Sequence, residues 1–137
     1  MPFETFEHTA DLGLRVRADD LTTLFADAAR GLFSMIVPEL DSVRPSQTVS
    51  ISVPGELSEL LLFDWLNELL YTYEVRHLLL CQFDVRFEQG GLEATVKGEP
   101  IDRARHVLDH EVKAITYHGL KLQQHDGHWL AEVIVDI

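Results

Sequence analysis

Residues 12–36 read LGLRVRADDLTTLFADAARGLFSMI, and the spacing of their apolar residues changes part-way along. Over residues 12–18 apolar residues alternate with other residues, which is the period of a strand with one buried face. Over residues 21–36 the apolar residues recur every three or four positions, which is the period of an amphipathic helix. Asp20 precedes that segment as a candidate N-cap, and Pro38 follows it, where a helix cannot continue. The stretch therefore predicts a strand followed by a helix.

The remaining sequence predicts a second helix and several more strands. Residues 3–8 and 49–53 are typical of strands, and from residue 79 onward the chain is mainly extended. Predicted strands at 83–87 and 92–96 join through a turn, and extended segments follow at 112–117, 120–124 and 129–135, the last after Asp126-Gly127. The second helix has a wide apolar surface, which predicts burial on more than one side, formed by Leu57, Leu61, Leu62, Trp65, Leu66, Leu69, Leu70 and Tyr73. We therefore expect an α+β fold, with two helices packed on a mainly antiparallel β-sheet in a single domain over residues 1–137.

Charge and cysteine content exclude several classes of protein. The 137-residue chain has 11 Lys and Arg against 23 Asp and Glu, a net charge of −12, which disfavours direct binding to nucleic acid or to an anionic membrane. Its one cysteine, Cys81, cannot form an intrachain disulfide and suits a reducing compartment. The sequence shows no signal peptide and no apolar run long enough to span a bilayer. We expect a cytoplasmic protein whose partner is a basic protein or a metal cation.

Familiar catalytic motifs are missing from the sequence. It contains no Gly-rich phosphate loop, no nucleophile elbow and no His-Glu-x-x-His. Among the seven histidines, His106 and His110 have helical i, i+4 spacing, but their segment is short and polar, which favours a solvated pair over a metal site. His125 and His128 flank a predicted turn, and we expect both to be exposed.

The most informative segments lie towards the two ends of the chain. Residues 8–13 read HTADLG and join two predicted strands, where Gly13 provides either a positive φ or a close approach of the backbone. Residues 133–137 read VIVDI, an apolar strand with one acid next to the last residue. A strand fixed in the sheet to its end would hold the α-carboxylate of Ile137 beside Asp136. The simpler alternative for Asp136 is a polar residue that ends a strand.

Four motifs together resemble the archease family. They are HTADLG at 8–13, WLNELL at 65–70, VKAITYH at 112–118 and VIVDI at 133–137, and the match runs from about residue 3 to residue 137. The resemblance implies a non-catalytic activator of the GTP-dependent RNA-splicing ligase, which acts in tRNA splicing or RNA repair. Such a protein promotes guanylylation of the ligase and its multiple turnover. The ligase is then the direct partner, and RNA is contacted only indirectly.

The resemblance also implies a set of site residues without a catalytic residue. A divalent metal is bound by Asp11, Asp136 and the carboxylate of Ile137, and Lys113 is a further functional residue. His8 and His118 either orient neighbours of this site or are structural. Two carboxylates 4 Å apart repel by about 4 kcal/mol at an effective dielectric of about 20, so a cation or a proton must offset the charge. Oxygen ligands suit Ca²⁺, which we expect first, and also Mg²⁺ or Mn²⁺.

Two other functions remain open from the residues alone. One is a small metal-dependent hydrolase with Asp11 and Asp136 as ligands and His8 as base, although no nucleophile or oxyanion site is evident. The other is a general chaperone or interaction module.

Overall fold

The computed structural model describes residues 2–8 and 11–137, and for Glu7 and His8 it describes only the backbone. Seven strands and two α-helices occupy this part of the chain. Their order is β1 (Phe3–His8), β2 (Asp11–Ala18), α1 (Leu21–Ile36), β3 (Gln47–Pro54), α2 (Glu59–Arg76), β4 (Leu78–Glu88), β5 (Gly91–Pro100), β6 (Ala114–His125) and β7 (His128–Asp136). A short 3-10 helix at Leu40–Ser42 lies in the predicted loop after α1.

The strands form two antiparallel sheets. The first sheet has the order β1-β2-β7-β6 and the second has the order β3-β5-β4. Each helix contacts both sheets: α1 packs on β2 and β4, and α2 packs on β6 and β3. Both helices therefore lie between the sheets, and one apolar core includes residues from all of these layers. The predicted α+β class is confirmed, with two sheets where we expected one.

Capping interactions define where the two helices begin and end. The carboxylate of Asp20 accepts a hydrogen bond from the backbone N–H of Thr23 at 2.7 Å, which confirms Asp20 as the N-cap of α1. The hydroxyl of Ser58 caps α2, and His77 ends it in the left-handed conformation with φ 55°. Leu57 lies before this start and is half exposed, so its predicted place on the helix was wrong.

Strand β6 joins two segments that the sequence predicts separately. Its pairing with β7 is regular up to Thr116 and again from Lys121, with a register shift between them. Gly119 lies inside this irregular segment with φ +65°, a conformation that favours glycine. The strand thus keeps its place beside β7 while residues 117–120 bulge from the sheet edge.

Candidate functional site

One face of the first sheet points away from both helices. On β2, Leu14 and Val16 are fully buried in the core, so the alternate residues Asp11, Gly13 and Arg15 lie on the opposite side. We call this side the outer face. Because directly paired residues of antiparallel strands share a face, the register assigns residues of β1, β7 and β6 to it as well.

The outer face brings the two predicted acidic ligands together. Asp11 on β2 is paired directly with Asp136 on β7, although 125 positions separate them in the sequence. Residues paired in this way have Cβ atoms roughly 5 Å apart. The backbone N–H of Lys113 donates to the carbonyl of Asp136 at 2.8 Å, which fixes the chain before β6 beside the same residue. Ile137 follows directly, half-buried, with its side chain packed against the core.

We call Asp11, Asp136 and Ile137 the acidic end of the outer face. The packing of Ile137 holds the last residue of the sequence next to the two acids rather than leaving it to fray. Both aspartates are half-buried, so solvent screens their charges only in part. The strand register makes Asp11 and Asp136 direct partners, and Ile137 follows Asp136 in the sequence.

The other predicted site residues lie at different distances from the acidic end. Lys113 is adjacent, and its side chain is exposed. His118 is also exposed, but it lies four residues along β6 from Ala114, the partner of Asp136, or about 13 Å along an extended strand. The backbone of His8 pairs with Asp11, whereas its side chain lies outside the described residues.

Four charged residues form a row across the same face, four positions away from the acidic end. Glu4, Arg15, Glu132 and Lys121 stand opposite one another on β1, β2, β7 and β6. Arg15 donates to Glu132 at 2.5 Å and to Glu4 at 3.1 Å, and the Lys121 ammonium lies 3.5 Å from Glu132. We call these four residues the charged row.

The charged row keeps its carboxylates ionised. Burial raises the pKa of Glu132, but the hydrogen bond and charge of Arg15, assisted by Lys121, outweigh burial and leave the pKa below its usual value. Hydrogen bonds from Arg15 and Arg17 lower the pKa of Glu4 in the same way. Each acid in this row therefore faces a cation.

An apolar row separates the charged row from the acidic end. The ring of Phe6 lies directly over Gly13, where an added Cβ would stand only 2.1 Å from the ring Cζ. The guanidinium of Arg15 covers the other part of that ring, 4.6 Å from its centroid. Gly13 is needed for this close approach, and its φ is not positive, which decides between the two roles expected from sequence. Ile134, the neighbour of Gly13 on β7, is buried.

The donor set at the acidic end suits a hard cation. Within residues 2–8 and 11–137, no group of three or more His, Cys, Asp or Glu side chains is arranged to hold a metal ion. A cation at the acidic end would therefore need oxygen ligands beyond Asp11 and Asp136, and a carboxylate on Ile137 is the nearest in sequence. Carboxylate, carbonyl and water oxygens are ligands for Ca²⁺, Mg²⁺ or Mn²⁺ rather than for softer metals.

A buried polar cluster contradicts the prediction for His106. His106 is only 3% exposed and is not one of a solvated pair. Its Nδ1 accepts from the backbone N–H of Asp102 at 3.0 Å, so Nε2 carries the proton and donates to Glu99 at 3.0 Å. His110 is half-buried elsewhere, since residues 101–110 have a turn only at 103–105 and do not form the helix that would place the two histidines together.

Glu99 is the centre of this cluster. Burial raises its pKa, but hydrogen bonds from the Arg105 side chain, the backbone N–H of Arg44 and His106 lower the pKa to about 2. Arg105 also donates to the carbonyl of Ser42 at 2.8 Å, which ties residues 101–106 to the loop before β3. The cluster therefore has a structural role, and it was missed because Arg44 and Ser42, which complete it, are more than 50 residues away in sequence. His125 and His128 are exposed, as predicted.

Comparison with known proteins assigns the chain to a family. The model of the Archease protein family matches residues 3–137. The chain belongs to the archease family. It is 41% identical to the archease of Methanopyrus kandleri over 141 aligned positions, which cover the whole of both chains. It is 38% identical to the archease of Pyrococcus furiosus, with 98% of each chain covered.

Solved structures confirm the fold of this archease. It is similar to the solution structure of protein 1598 of Methanobacterium thermoautotrophicum, with a TM-score of 0.87, 31% identity and 99% of each chain covered. It also resembles the crystal structure of an archease from Thermotoga maritima described as a possible chaperone. That match has a TM-score of 0.71 and 20% identity over 98% of this chain and 96% of the other, and it shows the fold alone.

The structure adds one finding on membranes. No helix in the described part of the chain is long and apolar enough to cross a bilayer.

Proposed function

We propose that this archease is a non-catalytic activator of a GTP-dependent RNA-splicing ligase, in tRNA splicing or RNA repair in the cytoplasm. It promotes guanylylation of the ligase and its multiple turnover, and it contacts RNA only through the ligase. One observation carries the proposal: Asp11 and Asp136 stand opposite each other on neighbouring strands. Two carboxylates in directly paired positions on neighbouring strands can bind one divalent cation together, and this supports a metal site at the acidic end.

The acidic end would bind a divalent ion through Asp11, Asp136 and the carboxylate of Ile137. Ca²⁺ fits an irregular set of oxygen ligands best, and Mg²⁺ or Mn²⁺ would use the same donors. When bound, such an ion supplies a positive centre for nucleotide phosphates. The strand pairing of Asp11 with Asp136 supports this proposal, as does the packing of the Ile137 side chain on the core directly after Asp136.

Lys113 has a separate role in the proposal. Its backbone N–H is bound to the carbonyl of Asp136, so its exposed side chain begins next to the acidic end. An ammonium group in this place can pair with a phosphate of the nucleotide or reduce the negative charge of the acids. Neither task requires the archease to form or break a bond.

Guanylylation of the ligase is the direct test of activation. A purified RNA-splicing ligase is incubated with radiolabelled GTP, with and without the archease, and covalent ligase-GMP is counted over time. We expect faster labelling and more than one ligation per ligase when the archease is present. Equal labelling with and without it would contradict the proposal, and hydrolysis of GTP or phosphoesters by the archease alone would instead favour a metal-dependent hydrolase.

A further inference from the structure

Helix α2 has a face that carries exposed apolar side chains. Leu60, Phe63, Tyr71 and Val75 lie along one side of the helix at multiples of three or four residues. Leu60, Tyr71 and Val75 are each more than half exposed, between 54% and 59%. Tyr117 from the bulge of β6 stacks on Phe63, with ring centroids 4.0 Å apart and planes 19° apart, and is still 61% exposed. We call these five residues the α2 stripe.

Acidic residues lie on the same side of α2 as the stripe, since Asp64 is four residues from Leu60 and Glu68 is three residues from Tyr71. Asp64 and Glu68 are exposed and stand one turn apart, a spacing at which like charges destabilise a helix. Residues 54–75 include five acids and no Lys or Arg. None of the ion pairs formed by the described residues includes Asp64 or Glu68.

We propose that the α2 stripe is the surface on which the ligase docks, through apolar side chains flanked by Lys or Arg. This inference rests on the proposed function, because it takes the ligase as the partner. An enzyme that holds RNA needs cationic surface for the phosphate backbone, and such surface complements a chain with a net charge of −12. Apolar centres with charged rims are the usual composition of protein interfaces.

Strand β6 connects the docking surface to the acidic end. Ala114 pairs with Asp136, and Tyr117 follows three residues later on the same strand, about 10 Å further along. The acidic end lies on the face turned away from the helices, so a ligase bound to the α2 stripe would reach it around β6, which is an edge strand of the first sheet. The two regions have different tasks: the α2 stripe determines how tightly the ligase binds, and the acidic end determines how fast the bound ligase reacts.

The test separates affinity from rate. Archease is titrated into ligase and GTP, and the initial rate of guanylylation is fitted for its maximum and for the half-saturating archease concentration. For the double variant Leu60→Gln/Tyr71→Gln we expect at least a tenfold rise in the half-saturating concentration with an unchanged maximum. Val107→Gln is the matched control, since Val107 is 73% exposed in the loop between β5 and β6.

A charge variant tests the rim of the same surface. Asp64→Asn/Glu68→Gln keeps the apolar residues, and we expect a smaller rise in the half-saturating concentration and a weaker dependence of it on salt. Asp84→Asn, on the exposed side of the second sheet, should change neither quantity. An unchanged half-saturating concentration for Leu60→Gln/Tyr71→Gln, with a native circular dichroism spectrum, would overturn the docking surface.

Two further outcomes concern a dimer interface and failure of the proposed function. A wild-type dimer in sedimentation experiments that dissociates in the Leu60→Gln/Tyr71→Gln variant would assign the α2 stripe to a second copy of the chain and overturn the inference. Failure of the proposed function gives a different result, because wild-type archease would then leave guanylylation unchanged. In that case the ligase is titrated by calorimetry into the wild type and into the double variant. Binding to the wild type alone would still support the docking surface. Absence of binding to either protein would overturn the docking surface.

Discussion

The charged row and the acidic end occupy the same strands of the same sheet, and their charges are arranged in opposite ways. In the charged row Arg15 faces Glu132 across β2 and β7, with Glu4 and Lys121 continuing the alternation of sign. Four residues along the same two strands, Asp11 faces Asp136. Opposite charges in paired positions stabilise a sheet and like charges destabilise it. The paired charges of the charged row stabilise the sheet, whereas the paired acids of the acidic end are the arrangement on which the proposed function depends.

Loss of either acid should have the largest effect, and we expect that effect on activation. Asp11→Asn and Asp136→Asn keep the shape of the side chain and remove its charge. We expect each to slow ligase guanylylation about a hundredfold, which corresponds to about 3 kcal/mol of lost transition-state stabilisation. Rates are measured with labelled GTP at saturating archease. Lys121→Gln, in the charged row, is the control, and a normal rate for both acid variants would remove these residues from the site.

Loss of an acid from the charged row should lower the stability of the fold and leave activation unchanged. Glu132→Gln leaves Arg15 and Lys121 without their shared carboxylate, and we expect the free energy of unfolding to fall by about 1.5 kcal/mol. The rate of guanylylation should stay at the wild-type value. Urea unfolding followed by circular dichroism gives the first quantity. A stable Glu132→Gln variant with impaired activation would mean that the charged row belongs to the site.

The stability difference between wild type and Glu132→Gln should depend on pH. In the folded protein the pKa of Glu132 lies below its usual value of 4.5, so its ionised form stabilises the fold. The stabilisation is complete above pH 4.5 and is lost as the pH falls through the folded pKa. In urea titrations of both proteins the stability difference should therefore be constant at neutral pH and shrink as the pH falls below 4.5. Glu99 also titrates in acid, but it is present in both proteins and cancels in the difference.

An added residue after Ile137 should weaken metal binding. Extension converts the carboxylate into a neutral amide, and we expect the dissociation constant for Ca²⁺ to rise about tenfold, or about 1.4 kcal/mol. Calorimetric titration with Ca²⁺ compares this protein with one extended before Met1. Equal affinities would exclude the carboxylate of Ile137 from the site.

The smallest expected effect is a gain in stability at the acidic end. With metal removed by a chelator, Asp136→Asn should raise the free energy of unfolding by about 0.5 kcal/mol, because repulsion from Asp11 is relieved. Added Ca²⁺ should stabilise the wild type and not the variant. Thermal unfolding with chelator and with Ca²⁺ measures both effects. Destabilisation of the metal-free variant would show that Asp136 is needed for the fold itself.

Much of the fold could be predicted because its elements differ in hydrophobic period. The alternation in β2 and the helical spacing in α1, with Asp20 as the cap, predict these elements closely. The division into two sheets could not be predicted, because pairing depends on contacts between distant strands. The break at residues 117–120 obscured the continuity of β6, since a bulge interrupts the alternation.

The candidate site was predictable only through motifs. Periodicity assigns Asp11 and Asp136 to strands, but only the register of β2 with β7 makes them partners. The burial of His106 was missed for a related reason: its partner Glu99 also binds Arg44, which is 55 positions earlier in the sequence. A histidine with such a partner is indistinguishable from a solvated one in a local window of sequence.

The position of β7 between β2 and β6 has a consequence for biosynthesis. β7 is the last of the described strands to leave the ribosome, yet it is a central strand of the first sheet. Until it is made, β2 lacks its inner neighbour and part of the apolar surface of α1 stays uncovered, which exposes the nascent chain to aggregation. Pairing across more than a hundred residues also slows folding. A translation product that stops before β7 lacks both a complete core and the second half of the acid pair.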